Sequence, residues 1–183
     1  MVKFHCFHQT VQEYYGRGKE NLFPDIIGCP FPGCHYQGRL RRHGFYTRNV
    51  LTFHAFFRIF IQRYYCKSCK HTVSLLPTFL LPYFQYSLAC IFYSLFRNII
   101  NRLPLEQIAQ KINQLSQRTE LSHQHLVFYK KRFLENLPLI IGFFSSAVSE
   151  PESVVRRIFQ GRFLQPFNLQ YFQFQAHHFL AKS

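Results

Sequence analysis

The sequence predicts an α+β chain in which a small β-hairpin module precedes a three-helix bundle. Two cysteine pairs bracket a stretch whose apolar residues recur at every second position, the period of a strand. Farther on, apolar residues recur every three to four positions, the period of an amphipathic helix. Prolines divide the two regimes. With 183 residues, 48% of them hydrophobic, the chain has room for two small units and enough apolar surface to bury their cores.

Residues 1–25 are polar and aromatic without clear periodicity and are expected to form an N-terminal arm, with Tyr14-Tyr15-Gly16-Arg17-Gly18-Lys19 as a turn or loop. His5, Cys6 and His8 are three clustered metal-ligand types with no evident fourth, a pattern that favours a solvated arm over a metal site. Residues 26–82 make up the cysteine module and its proline connector. Within it Phe57, Ile59, Ile61 and Tyr65 alternate with Arg58, Phe60, Gln62 and Tyr64, which predicts a strand. Residues 38–48 supply its antiparallel neighbour, with Gly44 marking a bend or bulge. Pro77 and Pro82 bias their predecessors away from helix, so the connector Leu76–Tyr83 is extended and a domain boundary falls there.

Residues 83–137 form the helical domain. The first helix begins at Ser87 and buries Leu88, Ile91, Phe92, Leu95 and Ile99 before Pro104 stops it. Cys90 lies on that apolar stripe and is expected in the core. The second carries Leu105, Ile108, Ala109, Ile112 and Leu115 on one stripe, and the third, capped by Ser122, buries Leu126, Tyr129, Phe133, Leu134 and Leu137. The last two suggest a loose helix-turn-helix-like pair, because residues 113–121 are longer than a tight turn and contain no glycine. A plain bundle with a solvated basic face is the alternative. Residues 138–183 are a C-terminal extension without an assignment, least of all Phe167–His178.

Cys29-Pro30-Phe31-Pro32-Gly33-Cys34 and Cys66-Lys67-Ser68-Cys69 are separated by 31 residues. Each pair can offer two thiolates to one ion, the spacing logic of a zinc ribbon, and four cysteines would close a tetrahedral Zn²⁺ site with no open position. The wider spacing of the first pair leaves room for His35 or His71 to replace one cysteine. Gly28 and Gly33 permit tight turns around the ion, and Lys67 and Lys70 offset the excess charge of four thiolates. Four free thiols or disulfides are the competing reading.

The formal charge of +14 arises from 22 Lys+Arg against 8 Asp+Glu. No acid occurs between Asp25 and Glu106, while Arg39, Arg41, Arg42, Arg48, Arg58, Arg63, Lys67 and Lys70 all fall there. Such a field points to a polyanion, and nucleic acid is the usual one. Arginine forks suit phosphate oxygens, while Phe45 and Tyr46 either stack on bases or pack the hairpin. A second contact set lies at the third helix: Ser122, His123, Gln124 and His125 in its first turn would meet base edges, and Lys130, Lys131 and Arg132 would clamp phosphates.

Six cysteines are too few for a disulfide-rich secreted scaffold, and the first residues lack a secretory apolar run, so a reducing cytoplasm is expected. Residues 71–96 carry no Lys, Arg, Asp or Glu and are long enough to span a bilayer, but Pro77, Pro82 and Gln85 interrupt them, so no membrane association is expected. The 23 Phe and 11 Tyr exceed what so small a core hides, which favours a protein partner or a homo-oligomer.

The segments Cys29-Pro30 to Cys34, Arg42-His43-Gly44-Phe45-Tyr46-Thr47-Arg48, Arg63-Tyr64-Tyr65-Cys66-Lys67-Ser68-Cys69-Lys70-His71-Thr72 and Leu75-Leu76-Pro77 resemble the zinc-binding, helix-turn-helix front end of certain bacterial insertion-sequence transposases and related small proteins. The resemblance spans roughly residues 26–137. It implies Cys29, Cys34, Cys66 and Cys69 as zinc ligands, residues 122–134 as the DNA reader, transposon-end DNA as target and a nucleoid-associated place in a bacterial cytoplasm. Transposase chemistry of the usual kind needs three carboxylates holding two metal ions, and with Asp25 the sole aspartate the chain has too few acids in the right place.

The leading expectation is therefore a zinc-dependent protein that binds double-stranded DNA without catalysis of its own, an accessory, regulatory or truncated relative of a transposase. An RNA or single-strand binder, stacking bases on the many rings, uses the same charge differently. A zinc-stapled interaction module in a larger complex is the third reading.

Overall fold

The computed structural model describes residues 1–115, 120–143 and 150–160. Four strands, β1 (Val2–His5), β2 (Arg41–Leu51), β3 (Phe56–Tyr65) and β4 (Thr72–Pro77), form one sheet in the order β1-β4-β3-β2. Six helices are described: α1 (Val11–Arg17), α2 (Leu88–Ile99), α3 (Leu105–Leu115), α4 (His123–Glu135), α5 (Leu137–Phe143) and α6 (Pro151–Gln160). The chain is α+β, as its two periodicities require.

β2 and β3 pair antiparallel, with Tyr46 opposite Ile61 and Val50 opposite Phe57. The register slips between Arg42 and Phe45, placing a bulge at Gly44, whose φ of 88° is readily reached only without a Cβ. Gln62 ties the bulge down from the facing strand. Its Nε2 donates to the Gly44 and Arg63 carbonyls at 2.8 Å each, so a side chain only 2% exposed satisfies an irregular backbone.

Residues 1–25 are not a detached arm. β1 runs parallel to β4, pairing Val2 with Ser74 and His5 with Pro77, and α1 packs on β3. Tyr14 is fully buried, donates its hydroxyl to the Phe60 carbonyl at 2.9 Å, and meets the rings of Phe7 and Phe79 edge-on. A seven-residue helix is too short to show a period; it opens on a reciprocal capping box between Thr10 and Glu13.

The proline connector is sewn into the molecule. Residues 77–81 are buried, the Leu51 N–H donates to Gln85, and the N–H groups of Ser87 and Leu88 donate to Leu51 and Phe79. Tyr83 is the exception, 87% exposed at a φ of 67°.

Ser87 and Ser122 cap α2 and α4, each accepting from the N–H three residues on. Every residue expected inside α2 is buried, Cys90 included, and burial pushes its thiol up to about 12. Other stripes are narrower than expected. On α3 Ile108, Ala109 and Ile112 are buried but Leu105 only half so, and Leu115 is exposed; on α4 Leu134 is exposed, and the half-buried Leu137 opens α5. Residues 138–183 also supply core, for α6 lies on α2 and buries Val154, Val155 and Ile158 completely. Five helices thus form the layer where three were expected. Phe167–His178 lie outside the described residues.

Residues 71–96 are divided among β4, the connector and the start of α2. Among the described residues no helix is long and apolar enough to cross a membrane.

Candidate metal centre

Two turns bring the cysteines together. The first loop is closed at its base by the Ile27–Arg39 bridge, the Gly28 N–H to the Gly38 carbonyl, and the Cys29 N–H to the Tyr36 carbonyl at 2.8 Å. Gly33, with φ of 79°, turns the chain so that the Cys34 N–H reaches the Phe31 carbonyl. The second is the β3–β4 hairpin, where the Cys66 N–H donates to His71 and the Lys70 N–H returns to Cys66. Phe31 and His71 stack across the two turns at 3.8 Å, close to parallel.

The Sγ atoms of Cys29, Cys34, Cys66 and Cys69 all lie within 4.8 Å of one another. Cys29 and Cys69 approach to 3.6 Å and Cys34 and Cys66 to 3.8 Å. A disulfide requires about 2.0 Å, so these are thiols. A tetrahedron with metal–sulfur bonds of about 2.3 Å has sulfur–sulfur edges of about 3.8 Å. The spacing therefore fits one four-coordinate ion. Among the described residues no histidine joins this group; the His71 ring lies on Phe31 with Nδ1 2.8 Å from the Cys69 carbonyl.

The thiols differ in acidity. Burial and neighbouring thiols push Cys29 up to about 12. Burial also opposes ionisation of Cys66, but the backbone N–H groups of Cys69 and Ser68 outweigh it and bring that thiol down to about 7. A bound cation would take over from protons as the partner of these sulfurs, so binding releases protons and strengthens with pH.

Around this centre the basic residues have unequal freedom. Arg39 and Arg42 share Asp25 at 3.1 and 3.6 Å, and Arg42 also donates to the Phe23 carbonyl. Arg41 is exposed opposite Tyr65, at the cysteine end of the hairpin, and Lys67 and Lys70 are exposed on the knuckle itself. Arg58 is exposed near the far end and donates to Thr47 across the strands. Arg63 is half-buried with its guanidinium 5.9 Å from the Tyr46 ring. Arg48 turns inward, donating to the Leu81 and Phe84 carbonyls, and burial lowers its pKa. Its charge fastens the connector to β2 and is not a surface cation.

The α4 set lies on the helical layer, apart from the sheet residues. His123 and Gln124 are exposed in the first turn, Ser122 is the cap, and His125 completes a capping box with it through Nδ1. Lys131 and Arg132 flank Glu135 at 3.9 and 3.5 Å, while Lys130 is half-buried. Asn113 orients this helix, because its side chain both donates to the Leu121 carbonyl and accepts from the Leu121 N–H.

Three participants were missed in the sequence. Asp25 answers two arginines, Phe31 pairs with His71, and Lys19 places its ammonium 5.1 Å from the Phe60 ring. None has a local signal, since each partner is distant along the chain. Neither the curated proteins nor the solved structures contain a match to this chain. Residues 29–115, which hold all four cysteines, β2 to β4, α2 and α3, match the model of a domain of unknown function, DUF6431.

Proposed function

We propose that this chain is a zinc-stapled protein that binds double-stranded DNA and performs no catalysis of its own, in an accessory, regulatory or truncated-transposase role within a bacterial mobile element. The observation that carries the reading is the four-thiol cluster set into an acid-poor hairpin, with Arg41, Lys67 and Lys70 exposed beside it. Zn²⁺ suits four thiolates at tetrahedral spacing, and four protein ligands leave no position for water or substrate. The ion's role is then to hold two turns in place. Four thiolates around a divalent ion keep an excess negative charge, which the lysines offset while still facing phosphates.

On the helical layer, α3 and α4 act in this reading as a loose helix-turn-helix. Gln124 and His123, exposed in the first turn of α4, meet base edges, and the half-buried Lys130 meets the backbone. The transposon-end target rests on the sequence resemblance alone.

Metal analysis of the purified chain and titration of fluorescent duplex DNA test this reading together. Expected are one tightly held zinc per chain, a log–log salt slope of about −4 to −6, and loss of binding with a lower melting temperature on chelation. Binding that ignores both salt and chelator refutes it.

A further inference from the structure

A cleft of about 520 Å³ lies between the connector and α4. Tyr83, Phe84, Tyr86, Phe128 and Tyr129 supply rings to its wall. Tyr83 stands 87% exposed at the rim, on a backbone conformation that bulky residues rarely adopt, and Phe128 is 43% exposed. Inside, Phe84 packs against Phe128 and Tyr129 at 5.9 and 5.2 Å. Polar groups converge on the same space: Gln85, Glu120, His125 and Arg132. The Arg132 guanidinium lies 5.3 Å from the Phe128 ring and is also shared with Glu135.

We propose that this cleft is a nucleobase site, which takes one unstacked base bearing an exocyclic amine. The volume falls in the range of small-ligand pockets, and exposed rings at a mouth are the usual platform for a flat heterocycle. Glu120 is an acceptor without a donor's alternative, so it selects an amino group, as on adenine, cytosine or guanine, over the carbonyl of thymine or uracil. Gln85 has both an acceptor and donors to complete the edge. Arg132 gives the adjoining phosphate a cation. A strand that presents the base rests on the DNA reading above, whereas a free nucleotide does not, and the two sources are separable.

The chain contains no tryptophan, so 2-aminopurine can be excited without protein emission. Three probes are titrated with the full chain: 2-aminopurine nucleoside monophosphate, a duplex with 2-aminopurine in a short single-stranded overhang, and a blunt fluorescein-labelled duplex. Expected is a rise in 2-aminopurine anisotropy, with affinity falling roughly tenfold in Tyr83→Ala or Phe128→Ala and retained in Tyr83→Phe. Glu120→Ala should erase the preference for an amino-bearing base over thymine in competition. Uptake of the overhang alone makes the strand the source, and uptake of the monophosphate makes it a free nucleotide. No rise with either probe overturns the proposal, as does a rise that both alanine variants leave intact. The blunt duplex reports on DNA binding separately, so that reading can fail while the cleft still takes a nucleotide, and the reverse.

Discussion

Arg41 and Arg48 stand on one strand, and burial separates their roles. Arg48 donates to two carbonyls of the connector, so Arg48→Ala leaves both short of a donor and should cost about 2 kcal/mol of stability, read from urea unfolding, with the salt slope of DNA binding unchanged. Arg41 has solvent around it, and Arg41→Ala should leave unfolding unchanged while reducing the salt slope by about one. The sequence offers both as equal arginines in an acid-free stretch; only the fold tells them apart. His5 provides a pH test at the same scale. Burial, with His8 adding to it, holds its pKa below 6.5, so the folded state favours neutral imidazole. As pH falls through the unfolded value the unfolded chain takes up the proton first, and stability declines until folded His5 also protonates. Comparing urea midpoints of the wild type and His5→Gln at about pH 7.5 and about pH 5.5 should show a smaller acid loss in the variant.

Elements with a local code were legible. Ser87 and Ser122 announce α2 and α4, alternation announces β3, and Gly44 marks the bulge of β2. The cysteine spacing likewise named the four thiols that converge, because two short turns need few residues between ligands. Elements without a code were not: β1 and α1 are too short for a period to emerge, and β1 gains its hydrogen bonds from β4, some seventy residues away in sequence. The approach to α4 is tied at Leu121 by the Asn113 side chain. Asn113→Ala removes both bonds to Leu121 and should cost about 2 kcal/mol. It should also weaken duplex binding, although Asn113 need not touch DNA. Differential scanning and duplex titration of the same variant check the two effects, and unaltered binding would show that α4 is positioned by its other contacts.

The described residues form two apolar clusters, one under the sheet and one among the helices, with Phe4 packed against both. The helical cluster draws on α6, which packs on α2 and buries Val154, Val155 and Ile158 in it. Ile158→Ala in that helix should therefore cost about 3 kcal/mol, as a buried isoleucine does, where a peripheral extension would lose little. Chemical unfolding of that variant decides between the two.

The sequence by itself determined the α+β class, the cysteine set and the positive field, because each is written in spacing, periodicity or charge count. Tertiary structure alone decided which cations remain at the surface, that the first residues join the sheet, and that an aromatic cleft opens between connector and α4. Those outcomes depend on which distant groups meet and which lose water, and burial of that kind has no signature along a single strand of residues.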